Sequence, residues 1–195
     1  MNNKKRVAIL ISGRGSNMLA LIEAAKSADY PAQIVGVISN RPDAPGLDIA
    51  KKHGLPTAVF QLKSYPDKTT CDKAITHALE EWDTDIICLA GFMRILGENF
   101  TRHWQNSFIN IHPSLLPKYK GLNTHQRALD AGDKIAGCTV HHVVAELDAG
   151  PVIACSQVSI LQNDTAQTLE KRVLEAEHKL YPAALKILIE KNTVS

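Results

Sequence analysis

Asn110 and His112 stand two residues apart at the end of a short apolar run, Ser107–Ile111, and Pro113 follows at once. Phe108, Ile109 and Ile111 give the run the alternation of a buried strand, and Pro113 stops any ladder bonding beyond it. An amide among apolar neighbours must find hydrogen-bond partners, because leaving it unpaired costs on the order of 1–3 kcal/mol. The strand therefore presents an Asn and a His at a sheet edge, ahead of a Pro/Gly-punctuated loop, where an open α/β sheet builds its active site. A capped strand end without chemistry is the plain alternative. Asp148, in a loop held by Gly150-Pro151, supplies a carboxylate within possible reach of the imidazole. Asn, His and Asp with no Ser or Cys nucleophile do not form a hydrolase triad. They suit acyl transfer in which the substrate's own amine attacks: Asn110 donates to the developing oxyanion, His112 moves protons, and Asp148 holds the ring and favours its charged form.

A second group lies in the turn Ser12-Gly13-Arg14-Gly15-Ser16-Asn17. Read as a dinucleotide fingerprint, it lacks the third Gly, and the next strand ends in Ser39-Asn40 with no acidic residue for a ribose. Read as a Walker A loop, it lacks the Gly-Lys-Ser/Thr ending. A phosphomonoester site survives both failures: Gly13 and Gly15 let the backbone approach an anion, Ser16 and Asn17 supply donors and a helix cap, and the helix N-terminus adds partial positive charge. A tight βα turn without a ligand is the alternative. A third strand exit, Gly91-Phe92-Met93-Arg94, carries a large apolar group and a cation that suit a flat ligand with an acidic tail; a core Met and a solvated Arg are the bland reading.

The elements that must position these groups follow from periodicity. Arg6–Ser12 and Asp85–Ala90 are near-continuous apolar runs, the mark of parallel strands covered on both faces. Gln33–Ser39 and Thr57–Phe60 read as further strands. Met18, Leu21, Ile22 and Ala25 mark a first helix, Leu47–His53 a second, and the apolar positions from Cys71 to Trp82 a third. Leu96–Trp104 and Thr124–Ala131 are helical. Gly137–Val144 and Val152–Val158 read as late strands, with His141 and His142 on opposite faces, so that at most one of them looks into a given site. Asp164 with Gln167 predicts a capping box for the last helix, which Pro182 should kink or split. The sum is an α/β fold, a Rossmann-like three-layer sandwich whose sheet is mostly parallel, with antiparallel strands in the C-terminal part.

The 195 residues suit a single domain, 1–195. A formal charge of +2 gives no argument for nucleic acid or an acidic membrane surface, and no apolar run reaches transmembrane length. The N-terminus reads as a first strand rather than a signal peptide, which makes the expected location cytoplasmic. Cys71, Cys88, Cys138 and Cys155 are widely spaced and read as buried, reduced thiols.

Taken together, the run Asn110-Ile111-His112-Pro113-Ser114-Leu115-Leu116-Pro117 and the later Asp148-x-Gly150-Pro151 resemble the phosphoribosylglycinamide formyltransferase family, over a stretch reaching from the first strand to the final helix. The resemblance implies formyl transfer from 10-formyltetrahydrofolate to the amino group of glycinamide ribonucleotide in purine biosynthesis, without a metal. It implies Asn110, His112 and Asp148 as the catalytic trio, with His112 as proton donor and Asp148 raising its pKa. Gly15, Ser16 and Asn17 match the phosphate loop, and Leu174, Glu175, Ala176 and Glu177 the segment that meets the nucleotide, with Glu177 at the ribose hydroxyls. The folate side falls on Met93, Arg94, Ile95 and Leu96, on Val144, Ala145, Glu146, Leu147 and Asp148, on Asn110, and on Lys68, where the family often has an Arg. Asn123 stands where a His was expected and receives no role. Related formyl-handling enzymes carry a further domain for which this length leaves no room. Implied partners are the two small-molecule substrates, neither nucleic acid nor membrane, with a monomer and a homodimer both open. Two readings from other classes stand beside this one. His112, His125, His141 and Asp148 gathering a metal would make a hydrolase, although no metal-ligand spacing supports it; a non-catalytic nucleotide-binding module is the other.

Overall fold

The computed structural model describes residues 4–193; the first residues of the basic N-terminal segment, 1–3, and the last two, 194–195, lie outside them. Strands β1 (Lys5–Ile11), β2 (Ala32–Ser39), β3 (Thr57–Val59), β4 (Ile86–Leu89) and β5 (Phe108–His112) run parallel, and β6 (Ile135–His142) and β7 (Val152–Ser159) continue the sheet antiparallel, in the order β3-β2-β1-β4-β5-β6-β7. This is the expected fold class, with each strand boundary within two residues of its expected position.

Alternation along β1 builds the layers. Val7, Ile9 and Ile11 pack with Met18, Leu21 and Ile22 of helix α1 (Ser16–Ala25) and with Ala50 of α2 (Pro45–Lys52). Ala8 and Leu10 face the other way, against Cys71, Ile75 and Leu79 of α3 (Lys68–Glu81) and Phe100 of α4 (Glu98–His103). Both faces of the central strands are thus dry, which is why they read as continuous apolar runs. Because β2 and β4 flank β1, the strand order reverses there and opens a crevice above the carboxyl ends of the parallel strands. The turn 12–17, the exit 91–96 and the end of β5 all meet that rim.

The last helix, α6 (Ala166–Thr193), spans both parts of the sheet. Its first half packs Leu169 and Val173 against Cys138 and Val158 of the antiparallel pair, and its second half joins the layer of α1 through Tyr181, Ala184, Leu185 and Leu188. The Tyr181 hydroxyl reaches the carbonyls of Leu89 (2.8 Å) and Ile109 (3.3 Å), tying the helix to β4 and β5.

Three expectations about helices change. Pro182 does not split α6, since buried residues on both sides hold the helix to the sheet, and Tyr30 donates to the Pro182 carbonyl at 2.7 Å. The cap is made by Thr165 and Thr168, each donating its N–H to the other's hydroxyl (2.9 and 3.2 Å). Asp164 instead accepts from the Leu161 N–H and from both terminal nitrogens of Arg172, which hold its carboxyl well below the usual carboxylate range. The helix expected from Leu96 starts at Glu98, because the Gly97 N–H is bound to Asp72 (2.8 Å). Among the thiols, Cys71, Cys88 and Cys138 are buried as expected, whereas Cys155 is exposed on β7, the terminal strand of the sheet. Among the described residues, no helix is long and apolar enough to cross a membrane.

Candidate active site

Antiparallel pairing of β5 with β6 places Asn110 directly opposite His141. The His141 Nδ1 lies 2.9 Å from the His142 carbonyl, which can only accept, so Nδ1 carries the proton. The bare Nε2 then accepts from the Asn110 amide at 3.2 Å. Burial pushes the His141 pKa down against the opposing pull of Asp148, which fits a neutral ring. Asn110 therefore has its amide orientation fixed by a neutral histidine and keeps a second N–H free of that contact. His142 points elsewhere, in line with the strand alternation. His141 entered the sequence reading only as a possible metal ligand; the alternation singled out one histidine of the pair but could not say which, because that depends on register.

His112 is buried at the strand end. Its Nε2 is 2.9 Å from the carbonyl of Tyr119, so this nitrogen is protonated, and its Nδ1 lies 3.4 Å from Asp148 Oδ2. Both ring nitrogens are therefore engaged within the protein. The loop that supplies the Tyr119 carbonyl is itself cross-braced. Ser114 donates to the Lys118 carbonyl (2.7 Å), Thr139 donates to the Ser114 carbonyl (2.7 Å), and the Tyr119 hydroxyl donates to Asp133 (2.7 Å).

Asp148 joins these groups. Its Oδ2 accepts from the Gly121 N–H at 2.9 Å, and its Oδ1 lies 3.6 Å from His141 Nε2. Its backbone is left-handed, φ 49°, a conformation an Asp tolerates better than most residues. Gly150 makes the surrounding loop possible: a Cβ there would fall 1.8 Å from the His142 carbonyl oxygen.

At the other side of the crevice, Gly15 takes φ 75° and opens α1, with the first helical bond running from the Leu19 N–H to the Gly15 carbonyl. The first-turn N–H groups precede that bond and have no intrahelical partner. Asn17 does not act as the helix cap that the sequence suggested. It is buried and donates to Glu177 Oε2 at 2.6 Å across 160 residues of chain, while its own Oδ1 is buried without a hydrogen-bond partner. Burial holds the Glu177 pKa above the ordinary carboxylate value, against the opposing hydrogen bond from Asn17. Of the run Leu174–Glu177, Glu177 reaches the turn. Ala176 packs on the core at the β6–β7 end, and Glu175 departs from its expected place: it is exposed in a groove with Cys155, Arg172 and Lys179. Residues two apart on a helix point about 200° apart, so Glu175 and Glu177 cannot face one site.

The exit from β4 also differs from expectation. Arg94 does not stand free for an acidic ligand: its guanidinium is buried at 2.7 Å from Asp72, whose other oxygen holds the Gly97 N–H. Leu96 packs against the core on the α3 side, whereas Met93 (71% exposed) and Ile95 (69%) extend outward. Lys68, the first residue of α3, is exposed beside Gly97. The Met93 N–H is fixed by the Ser12 hydroxyl (2.8 Å), which itself donates to Asn40 (2.6 Å). On the opposite bank, Val144, Ala145, Glu146 and Leu147 are exposed or partly so, with Glu146 paired to Lys120 at 2.8 Å. Asn123 precedes α5 (Thr124–Asp130) in a left-handed conformation. The chain thus surrounds the Asn110–His112–Asp148 cluster with an anion-suited turn on one side and an apolar rim on the other. A metal reading finds no support in this geometry: among the described residues no three His, Cys, Asp or Glu side chains are grouped to hold an ion.

A formyl transferase family model matches residues 5–185. The chain is 50% identical over 185 residues to the Bos taurus trifunctional purine biosynthetic protein adenosine-3, covering 95% of this chain but 18% of that protein, so it spans about a fifth of the length of such relatives. It is 45% identical over 186 residues to the phosphoribosylglycinamide formyltransferase of Haemophilus influenzae, covering 95% of this chain and 88% of the relative. The crystal structure of phosphoribosylglycinamide formyltransferase from Brucella melitensis superposes with a TM-score of 0.91 at 52% identity, covering 94% of each chain.

Proposed function

The chain belongs to the formyl transferase family, and from that premise we propose that residues 1–195 form a phosphoribosylglycinamide formyltransferase domain. It moves a formyl group from 10-formyltetrahydrofolate, a co-substrate, to the amine of glycinamide ribonucleotide. The observation that carries the reading is the meeting of Asn110, His112 and Asp148 at the end of β5, with no nucleophilic side chain needed between them.

The substrate amine attacks the formyl carbon directly. The carbonyl oxygen gains negative charge, and the free N–H of Asn110 is positioned by His141 to donate to it. As the adduct collapses, the bond from carbon to the folate nitrogen breaks, and that nitrogen takes up a proton. The amine gives up a proton in the same passage, so the reaction is neutral overall. His112 moves that proton and Asp148 steadies its ring. The phosphate of the nucleotide sits on the first turn of α1 at Gly15, Ser16 and Asn17. Glu177 accepts from the ribose hydroxyls, and the unpartnered Asn17 Oδ1 offers a further acceptor. Leu174 lies one helical turn from Glu177 on the same side. The folate lies between the Met93–Leu96 exit and the Val144–Asp148 loop, with Lys68 at the acidic tail in place of the buried Arg94. The protein acts in the cytoplasm.

Absorbance-monitored release of the deformylated folate, with glycinamide ribonucleotide as acceptor, tests the assignment. Turnover that requires both substrates supports it; no turnover with this acceptor sinks it, and metal-dependent hydrolysis would favour the alternative class.

A further inference from the structure

We propose that Arg14 and Glu170 form a charge latch that tunes the site for a phosphomonoester dianion, Arg14 resting on Glu170 in the free protein and transferring to the phosphate when the nucleotide binds. The inference rests on the nucleotide reading of the Gly13–Asn17 turn.

Arg14 lies between the two glycines of that turn, and its side chain is 78% exposed. It faces Glu170 Oε1 at 3.6 Å. That separation exceeds the roughly 2.7–2.9 Å of a good charge-assisted hydrogen bond, and the exposed pair is only weakly held. A phosphate dianion, with more charge and three terminal oxygens, is the stronger partner for a guanidinium.

The position of Glu170 gives the pair its meaning. Glu170, Leu174 and Glu177 recur at i, i+4 and i+7 on α6 and share one face of it. Glu177 ends that face at Asn17, inside the turn, so Glu170 overhangs the same crevice two helical turns nearer the start of α6. Its charge is felt on both sides of the cleft, by buried Glu177 and by His125 of α5, both of which it pushes toward holding a proton. A carboxylate so placed repels an incoming dianion unless a cation covers it. Arg14 covers it in the free state. The first-turn N–H groups of α1 provide the fixed part of the phosphate site, and Arg14 the movable part.

The two side chains therefore act with opposite sign. Arg14→Gln should raise the Kd for ribose 5-phosphate and the KM for glycinamide ribonucleotide about fivefold to tenfold, the range for one exposed charge-assisted contact. Glu170→Gln should lower both about twofold to threefold, by freeing Arg14 and removing repulsion. The gain from Glu170→Gln should shrink in the Arg14→Gln background, and the KM for the formyl donor should stay put in all three variants. Calorimetric titration with ribose 5-phosphate and steady-state kinetics read these values. If the wild-type protein binds ribose 5-phosphate and uses the nucleotide, but Arg14→Gln leaves both unchanged or Glu170→Gln weakens them, the latch is wrong and the function stands. If the wild-type protein neither binds ribose 5-phosphate nor uses the nucleotide, both readings fall together.

Discussion

Asn110 shows how much a single proton assignment fixes. Its amide is held by a histidine whose other nitrogen must donate to a backbone carbonyl, so the Asn cannot be flipped without leaving two donors or two acceptors face to face. Asn110→Ala should lower kcat about 10²–10³-fold with little change in either KM, as for loss of one oxyanion donor; a change confined to KM would make it a positioning group. Glu177 carries a different signature. Its folded pKa lies above the ordinary carboxylate value, so its contribution to stability is fully present below that ordinary value and is lost as pH rises through the raised one. Glu177→Gln should therefore be more stable than wild type at neutral pH, the advantage shrinking toward about pH 4, while the KM for the nucleotide rises at least about tenfold. Paired melts across pH and steady-state kinetics check the two halves separately. The meeting of Asn110, His112 and Asp148 was legible in the sequence because Asn-x-His closes an apolar strand and Asp148 precedes a Gly-Pro stop. The partners of the trio were not: His141, the Tyr119 carbonyl and the Gly121 N–H come together through register and loop path, which periodicity does not encode. Arg94 misled for a similar reason, since its partner Asp72 lies 22 residues earlier in the chain, on a separate helix.

The loop between β6 and β7 shows how an element places a side chain. Its end is packed against the start: the His142 N–H donates to the Pro151 carbonyl at 2.9 Å, and the α-carbon of Gly150 lies over the His142 carbonyl. Gly150→Ala would force that approach open and carry Asp148 with it. We expect a loss of about 1–3 kcal/mol of stability, as in other overpacked sites, and a fall in kcat larger than stability alone explains. Chemical denaturation and kinetics on the folded fraction test this; an unchanged kcat would show that Asp148 keeps its place without the glycine. The same scale explains the misplaced cap of α6. Asp-Thr-Ala-Gln offers a good capping pattern one residue early, but Arg172 captures the aspartate, and Thr165 with Thr168 takes over.

At the scale of the molecule, the parallel part was legible because strands buried on both faces lose their polar alternation, and the glycine-rich turn marked where the first one ends. The antiparallel part was legible as strands, but their addition beside β5, which brings His141 to Asn110, is a long-range choice set by packing under α6. That addition also supports the braced loop whose Tyr119 carbonyl occupies His112. An acid held against a backbone carbonyl is idle. If His112 is the proton source proposed above, then while the loop rests as it does here a formyl donor bound alone should meet no acid for its departing nitrogen, and water attacking in place of the amine should gain no help. On the proposed mechanism this contact is expected to guard against wasteful hydrolysis for as long as the loop holds it. Ser114→Ala, which removes the brace to Lys118, should increase acceptor-independent loss of formyl from 10-formyltetrahydrofolate by about tenfold or more. Unaltered leakage in that variant would mean that something other than the loop keeps the unpartnered enzyme quiet.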